Sequence, residues 1–307
     1  MTETESVPEA PRTPRVLIVH NPAAGRGHAR FAATLERLEA LGCDVEVRAT
    51  ARRGDAEVLA RAGLGQGFAR VVAAGGDGTI NEVIQGLAGS GTALALIPLG
   101  TANVLAVEIG LDPAPGALAQ TIAHGSAQPV CLGRLRGPEG AARWFAMMAG
   151  VGADAHAVAG VNLNLKRVLG KGAYYAEMLR QLLVFPFPRY RLSVDGTAYE
   201  AASVVVAKGR YYAGRYLLAP EARLTEPVFQ VCLFERGGRL AALRYARATQ
   251  QGRLANLPDY RIVTGRAVRI EAPAGDPVQA DGDIVAALPV EIEAVPEALW
   301  LVMPAAG

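Results

Sequence analysis

Lysine is nearly missing from this chain. Of 31 basic residues only Lys166, Lys171 and Lys208 are lysine, and arginine supplies the rest. Acids balance the bases to a formal net charge of +2 over 307 residues, so no strong global pull towards nucleic acid follows. Cysteine is scarce too. Cys43, Cys131 and Cys232 stand far apart in apolar contexts, which excludes a disulfide framework and a zinc pattern. Such usage fits a reducing, cytoplasmic compartment with buried thiols. His20, His28, His124 and His156 lack metal-ligand spacing. No solenoid repeat and no low-complexity linker is present. Met1 to Pro14 is acidic, contains proline and has no apolar core, so it reads as a disordered lead-in and not as a secretory signal. Charge is absent from Val83 to Val107, which invites a transmembrane reading. Pro98, Gly100, Asn103 and the Gly-Ser-Gly at 89–91 break that run, so a helix, a loop and a buried strand explain it better.

The composition, 51% hydrophobic and 20% charged, is that of a folded globular protein long enough for one large or two ordinary domains. Apolar runs near 15–20, 43–49, 70–74 and 93–97 read as strands. They alternate with helical patterns near 28–41, 55–63, 79–88 and 101–109. That alternation predicts an α/β domain with a parallel sheet. A further element starts at Asp112-Pro-Ala-Pro115 and ends near His124. Beyond Gln128 short strand-like runs follow one another, at 129–135, 143–150, 189–195, 199–206, 228–235, 260–264, 267–272, 277–280 and 290–294. Turns such as Asp195-Gly196 and Asp281-Gly282 punctuate them, which predicts a β-sandwich-like second domain. One helix-rich insertion falls at about 165–185. Ala298 to Met303 is a last apolar strand. The expected division is 1–14, 15–128, 129–295, and a closing strand at 296–307.

The richest segment is Val71-Val-Ala-Ala-Gly75-Gly-Asp-Gly-Thr-Ile-Asn-Glu82. A β-branched run feeds three glycines, an aspartate and a threonine. Ile80, Val83, Ile84 and Leu87 then recur at one-face helical spacing. Glycines let a backbone approach a ligand without Cβ atoms in the way. Successive N–H groups in such a turn form an anion-binding nest, and a helix start adds its dipole. The segment is neither a Walker A loop nor the dinucleotide fingerprint, because the spacing fits neither. Two similar loops end other apolar strands: Asn21-Pro22-Ala-Ala-Gly25 after Val16–His20, and Pro98-Leu-Gly100-Thr101-Ala-Asn103 after Leu94–Ile97. In an open α/β sheet, ligands sit outside the carboxyl ends of the strands. Three polar glycine loops at such ends predict a nucleotide or phosphate site.

These three segments, in order and spacing, resemble the successive motifs of the diacylglycerol kinase catalytic domain family, which includes bacterial lipid kinases and the sphingosine and ceramide kinases. The likeness continues through Gly150-Val-Gly-Ala-Asp154, Lys171-Gly-Ala-Tyr174 and Gln279-Ala-Asp-Gly-Asp283, from about Arg15 to the C-terminus. It implies an α/β nucleotide-binding domain like that of NAD kinases and diacylglycerol kinases, a β-sandwich-like C-terminal domain, and a last strand that returns to the first. It implies ATP and Mg2+ as cofactors and a lipid hydroxyl as acceptor, taken at a membrane surface. By this resemblance Asn21, Pro22, Gly25, Gly75, Gly76, Asp77, Gly78, Thr79, Asn81, Glu82, Gly100, Thr101 and Asn103 surround ATP. Thr50, ahead of Gly54-Asp-Ala56, matches a threonine near the nucleotide; a helix N-cap is the competing account. Asp281 matches the family's general base. An Asp-Gly hairpin turn competes there.

Two departures bear on activity. The family commonly reads Gly-Thr-Gly-Asn-Asp where this chain has Gly100-Thr-Ala-Asn-Val104. Its Asp-Gly becomes Glu226-Pro227 in a segment that in bacterial members can hold a structural magnesium ion, and this puts that second ion in doubt. Basic and apolar residues mix over Val161–Pro188, which reads as an amphipathic helix packed on the protein or resting on an anionic bilayer. The leading expectation is an ATP- and magnesium-dependent lipid kinase, peripheral at the inner membrane face. A soluble-substrate kinase akin to NAD kinases and a nucleotide-binding regulator without turnover stay open beside it, as does a homodimer.

Overall fold

The structure, a computed structural model, describes residues 14–24, 27–138, 140, 142–160 and 185–304. Most of the lead-in, Gly25, Lys171-Gly-Ala-Tyr174 and nearly all of the insertion expected at 165–185 lie outside them.

The chain begins as a parallel α/β layer. β1 (Arg15–His20), β2 (Asp44–Ala49), β3 (Arg70–Gly75) and β4 (Ala93–Pro98) lie side by side in the order β2-β1-β3-β4. Between them run α1 (His28–Ala40), α2 (Asp55–Gly63) and α3 (Asp77–Leu87). Val16 to Val19, Val71 to Ala74 and Leu94 to Ile97 are buried throughout, as expected of strands covered on both faces. The chain leaves β1 for β2 on one side and then crosses to β3 on the other. The strand order therefore switches between β1 and β3, the place where such sheets open a crevice. The uncharged stretch from Val83 to Val107 forms the end of α3, β4 and most of α4 (Val104–Glu108). Among the described residues no helix is long and apolar enough to cross a membrane. α5 (Pro115–His124) starts on its proline, whose fixed φ suits a first helical turn.

The sheet does not stop at β4. The final strand, β18 (Val290–Met303), pairs in parallel with β4 through Trp300 and Leu301, and antiparallel with β5 (Ser126–Arg136) along its length. β15 (Ala267–Ala272), β8 (Tyr190–Val194) and β9 (Thr197–Ala201) extend it, and β6 (Ala142–Phe145) pairs with β5. A second, antiparallel sheet of six strands covers this extension. Its order is β14 (Tyr260–Gly265), β13 (Phe229–Phe234), β10 (Ser203–Ala207), β7 (Met148–Val151), β16 (Pro277–Ala280) and β17 (Asp283–Ala287). Phe145, Tyr190, Val206, Phe229, Ile270 and Val290 interdigitate between the two layers. The molecule is thus an α/β domain with a parallel sheet joined to a β-sandwich.

Several elements differ from the expectation. α3 begins at Asp77, two residues early, and α4 begins at Val104, about three late, because Asn103 turns left-handed at φ 48°. α6 (Ala153–Gly160), α7 (Arg239–Gln250), β17 and the small ladder β11 (Tyr211–Tyr212) with β12 (Tyr216–Leu217) were not foreseen. The two runs at 290–294 and 298–303 are one strand, whose register shifts between Val295 and Leu299 around Pro296 and a left-handed Glu297.

Candidate active site

The loops after β1, β3 and β4 meet at the carboxyl end of the parallel sheet. Gly76 and Gly100 lie back to back. A Cβ on Gly100 would stand 2.6 Å from the Cα of Gly76, so only glycine lets these turns touch. A Cβ on Gly75 would fall 2.4 Å from the Thr79 hydroxyl oxygen. Asn21 stitches the first loop to the second, its Nδ2 donating to Thr79 Oγ1 at 3.0 Å, while its Oδ1 accepts the Ala23 N–H at 3.0 Å. Asn103 clamps its own loop, accepting from Gly100 N and donating to Gly100 O, both at 3.0 Å. Arg30, three residues into α1, donates to the Pro98 carbonyl at 2.7 Å. Gly78 and Thr101 are exposed at this edge, and Pro22 is exposed beside them.

Asp77 opens α3, yet its carboxylate caps a different helix. The N–H groups of Asn103 and Val104, at the start of α4, reach its two oxygens at 2.9 and 2.6 Å. A helix N-terminus is where a carboxylate is favoured. Glu82, one turn further along α3, accepts the Ala56 N–H at 3.2 Å and thereby serves the start of α2. Thr50 directly follows β2, and its N–H donates to the His20 carbonyl. It is not the cap of α2: that position is Gly54, at φ 91° and with no side-chain cap bond. Asp55 instead folds back onto the Ala51 and Arg52 N–H groups. Asn81 lies below the loop surface. It is 4% exposed and bonds to Gln85, which holds both backbone groups of Trp144 in the second domain.

Asp281 sits at the tip of the β16–β17 hairpin in the left-handed region, φ 46°. Its half-buried carboxylate takes three backbone N–H bonds from the turn into β7 and that strand's first residue: Ala146 at 2.8 Å, Met147 at 3.0 Å and Met148 at 2.9 Å. The hairpin is held from both sides. Gln279 accepts the Gly282 N–H at 3.0 Å and donates to Asp154 at 3.1 Å, and Tyr212 donates to the same Asp154. On the opposite flank Asp283 pairs with Arg53 at 2.8 Å, which ties the hairpin to the loop after β2. Burial pushes the Asp281 carboxyl up to about 6, the three N–H donors oppose the rise, and the charge of Asp77 adds to it. The two aspartates therefore face one electrostatic environment.

Three contributors escaped sequence reasoning. The N–H groups of Ala146, Met147 and Met148 carry no side-chain signature. Arg30 has a faint one, an arginine just after a glycine turn. His20 ends β1, stacks on Phe31 at 3.8 Å, and has an enclosed Nε2 without a hydrogen-bond partner among the described residues. Burial, and then His28, lower its pKa.

Among the described residues no three His, Cys, Asp or Glu side chains gather into a metal site. Magnesium carried by a triphosphate needs only one or two protein carboxylates. Asp77 fits that need, since a carboxylate has about four lone-pair sites and two are used here. A surface hollow lined by Gln128, Pro129, Thr225, Pro227, Pro296 and Glu297 shares no residue with these loops.

Comparison with known proteins gives matching results. Residues 15–135 match the diacylglycerol kinase catalytic domain, and residues 147–303 match the YegS C-terminal NAD kinase beta sandwich-like domain. A diacylglycerol kinase of Mycobacterium tuberculosis is 33% identical over 303 residues, covering 95% of this chain and 96% of the relative. One of Bacillus subtilis is 29% identical over 300 residues, covering 94% and 96%. In fold, the chain is similar to a solved diacylglycerol kinase structure from Bacillus anthracis, with TM-score 0.76 and 24% identity, over 96% of this chain and 98% of that one.

Proposed function

The chain belongs to the diacylglycerol kinase catalytic domain family, is a phosphotransferase with an alcohol acceptor, and from that premise we propose that it moves the γ-phosphoryl group of ATP to the hydroxyl of diacylglycerol or a related lipid. Phosphoryl transfer needs positioning, charge stabilisation and a place for the incoming hydroxyl proton. Each need has a group in the site. The glycine loops at 75–78 and 100–101 let the triphosphate approach the backbone. Asn21 and Thr79 fix how these loops meet. Asp77 holds the start of α4 in place and keeps lone pairs free towards the phosphates. Asp77 would hold a magnesium ion carried by the triphosphate, and that ion would supply charge neutralisation when bound.

Asp281 takes the acceptor's proton. With its carboxyl raised to about 6 it is ionised at neutral pH, and it is a better base than an ordinary carboxylate. Three N–H bonds fix its direction and leave one lone-pair site for the lipid hydroxyl. The observation that carries this reading is the pairing of the Asp281 hairpin with the nucleotide side through Arg53 and Asp283. A base remote from the nucleotide would be of no use.

The lipid acceptor places the enzyme at a bilayer during turnover. α7 supports that placement. It has no acidic residue, and Leu240 and Leu243 are 84% and 52% exposed beside Arg239 and Arg247. Apolar side chains flanked by arginine suit an anionic lipid surface.

The deciding experiment offers the purified enzyme labelled ATP with diacylglycerol, sphingosine, ceramide and NAD in parallel, against a heat-killed control. Label in a lipid product is expected. Label in NAD alone would overturn the lipid reading, and no transfer to any acceptor would favour a regulator.

A further inference from the structure

Among the described residues there is one lysine, Lys208, and it is 0% exposed. It follows β10, and its backbone N–H donates to Met147 O at 2.8 Å. A buried ammonium is costly unless hydrogen-bonded and paired. Its Nζ donates to the Arg223 carbonyl and, at 3.4 Å, to the Val228 carbonyl. Both belong to the short loop that leads into β13. The same loop is tied to β5 by a third carbonyl, Leu224 O, which accepts the Cys131 N–H at 2.7 Å. Glu226 lies on the loop between them, paired with Arg223 at 3.5 Å. Burial lowers the ammonium's pKa, while Cys131, Glu226 and Glu108 oppose the fall.

Backbone carbonyls turned inward beside a carboxylate are the oxygen donors that hard cations take. An ammonium is a compact point charge with three donors on a flexible stem, and so it suits such a cage better than a planar guanidinium. Use of lysine here, in a chain whose bases are mostly arginine, accords with that difference. Pro227 has no N–H, and Glu226 carries a longer stem than aspartate; neither suits a tight ion-binding turn.

We propose that the Lys208 ammonium is a built-in cation, seated on the carbonyls of the 223–228 loop where a divalent ion would otherwise be needed. The loop's fold is then independent of metal. This stands apart from the identity of the acceptor.

The test uses the whole chain and reads melting temperature and metal content, without nucleotide. The wild-type protein is expected to carry no stoichiometric divalent ion and to melt at the same temperature with and without a chelator. Lys208→Ala is expected to melt several degrees lower, and millimolar methylammonium, calcium or magnesium should recover part of the loss. Lys208→Met, which fills the space without a charge, is expected to melt low and to gain nothing from those ions. The inference is overturned by a stoichiometric ion in the wild-type protein with chelator-sensitive melting. It is equally overturned by Lys208→Met melting like wild type, or by a folded Lys208→Ala that no cation restores. The wild-type measurements decide the matter even where Lys208→Ala does not fold.

Discussion

Asp281→Asn replaces one carboxylate oxygen with an NH2 group and leaves shape and size nearly unchanged. The left-handed φ of 46° at this position suits asparagine. The new amide would keep one oxygen for the Met147 and Met148 N–H groups, but would set a donor against the Ala146 N–H, 2.8 Å away in the native pairing. One charge-assisted bond is lost and one N–H is left unpaired, which costs about 1–3 kcal/mol. Removing a half-buried charge returns part of that, because burial is what raises the carboxyl to about 6. The variant should therefore fold and melt only a few degrees low. Turnover should suffer far more. Loss of a general base typically lowers the rate about 10²–10⁴-fold. In mixed micelles of diacylglycerol with ATP, the wild-type rate should fall on the acid side of about pH 6, and the variant should lack that limb. ATP affinity should hardly change, since the loss belongs to the transition state. A variant that turns over within a few-fold of wild type while melting low would refute this reasoning, and would make Asp281 a brace for the 146–148 turn and nothing more.

Asp77→Ala should abolish nucleotide-dependent turnover and, by uncapping α4, cost about 1 kcal/mol of stability; unchanged ATP affinity in calorimetry would count against it. Gly100→Ala brings a methyl group to 2.6 Å from the Gly76 Cα, so ATP affinity should drop sharply with little change in the lipid KM. Stability should also report Asp281. Its folded pKa of about 6 lies above the unfolded carboxylate value, so its contribution is fully present below about pH 4 and is lost as pH rises through about 6. The stability of wild type relative to Asp281→Asn should thus decline by on the order of 2–3 kcal/mol across that window, and a flat difference in denaturant melts would show an unperturbed carboxyl. Leu240→Glu with Leu243→Glu should reduce binding to anionic vesicles and leave melting unchanged, because both side chains face solvent.

The parallel α/β half was legible because its signals are local. Runs such as Val71 to Ala74 are apolar over consecutive positions, and the glycines that follow mark the loops directly. α7 was not legible, because Leu240 and Leu243 face outward while Tyr245 and Ala248 face inward, so no single apolar stripe forms. The site's second half depends on distance in sequence. Asp281 finds its amide donors 133 to 135 positions away, and Arg53 finds Asp283 across both domains. No periodicity encodes such pairings. Asn81 shows the same limit: its bond to Gln85, and through it the tie to Trp144, has no signal in the glycine-rich motif that contains it.

Val104 shows how such a departure from the family pattern can be absorbed. What Asp77 takes from position 104 is a backbone N–H, at 2.6 Å, and every residue except proline offers one. The cap on α4 is therefore indifferent to the side chain, and the loop's geometry survives the change. Valine alters only the charge. It leaves Asp77 without a second carboxylate at the head of α4, so the helix dipole is answered by one acid. Asp281 already feels the charge of Asp77. Because Val104 brings no charge of its own, Asp77 is the carboxylate at the head of α4 whose field reaches Asp281 and adds to the rise of its carboxyl.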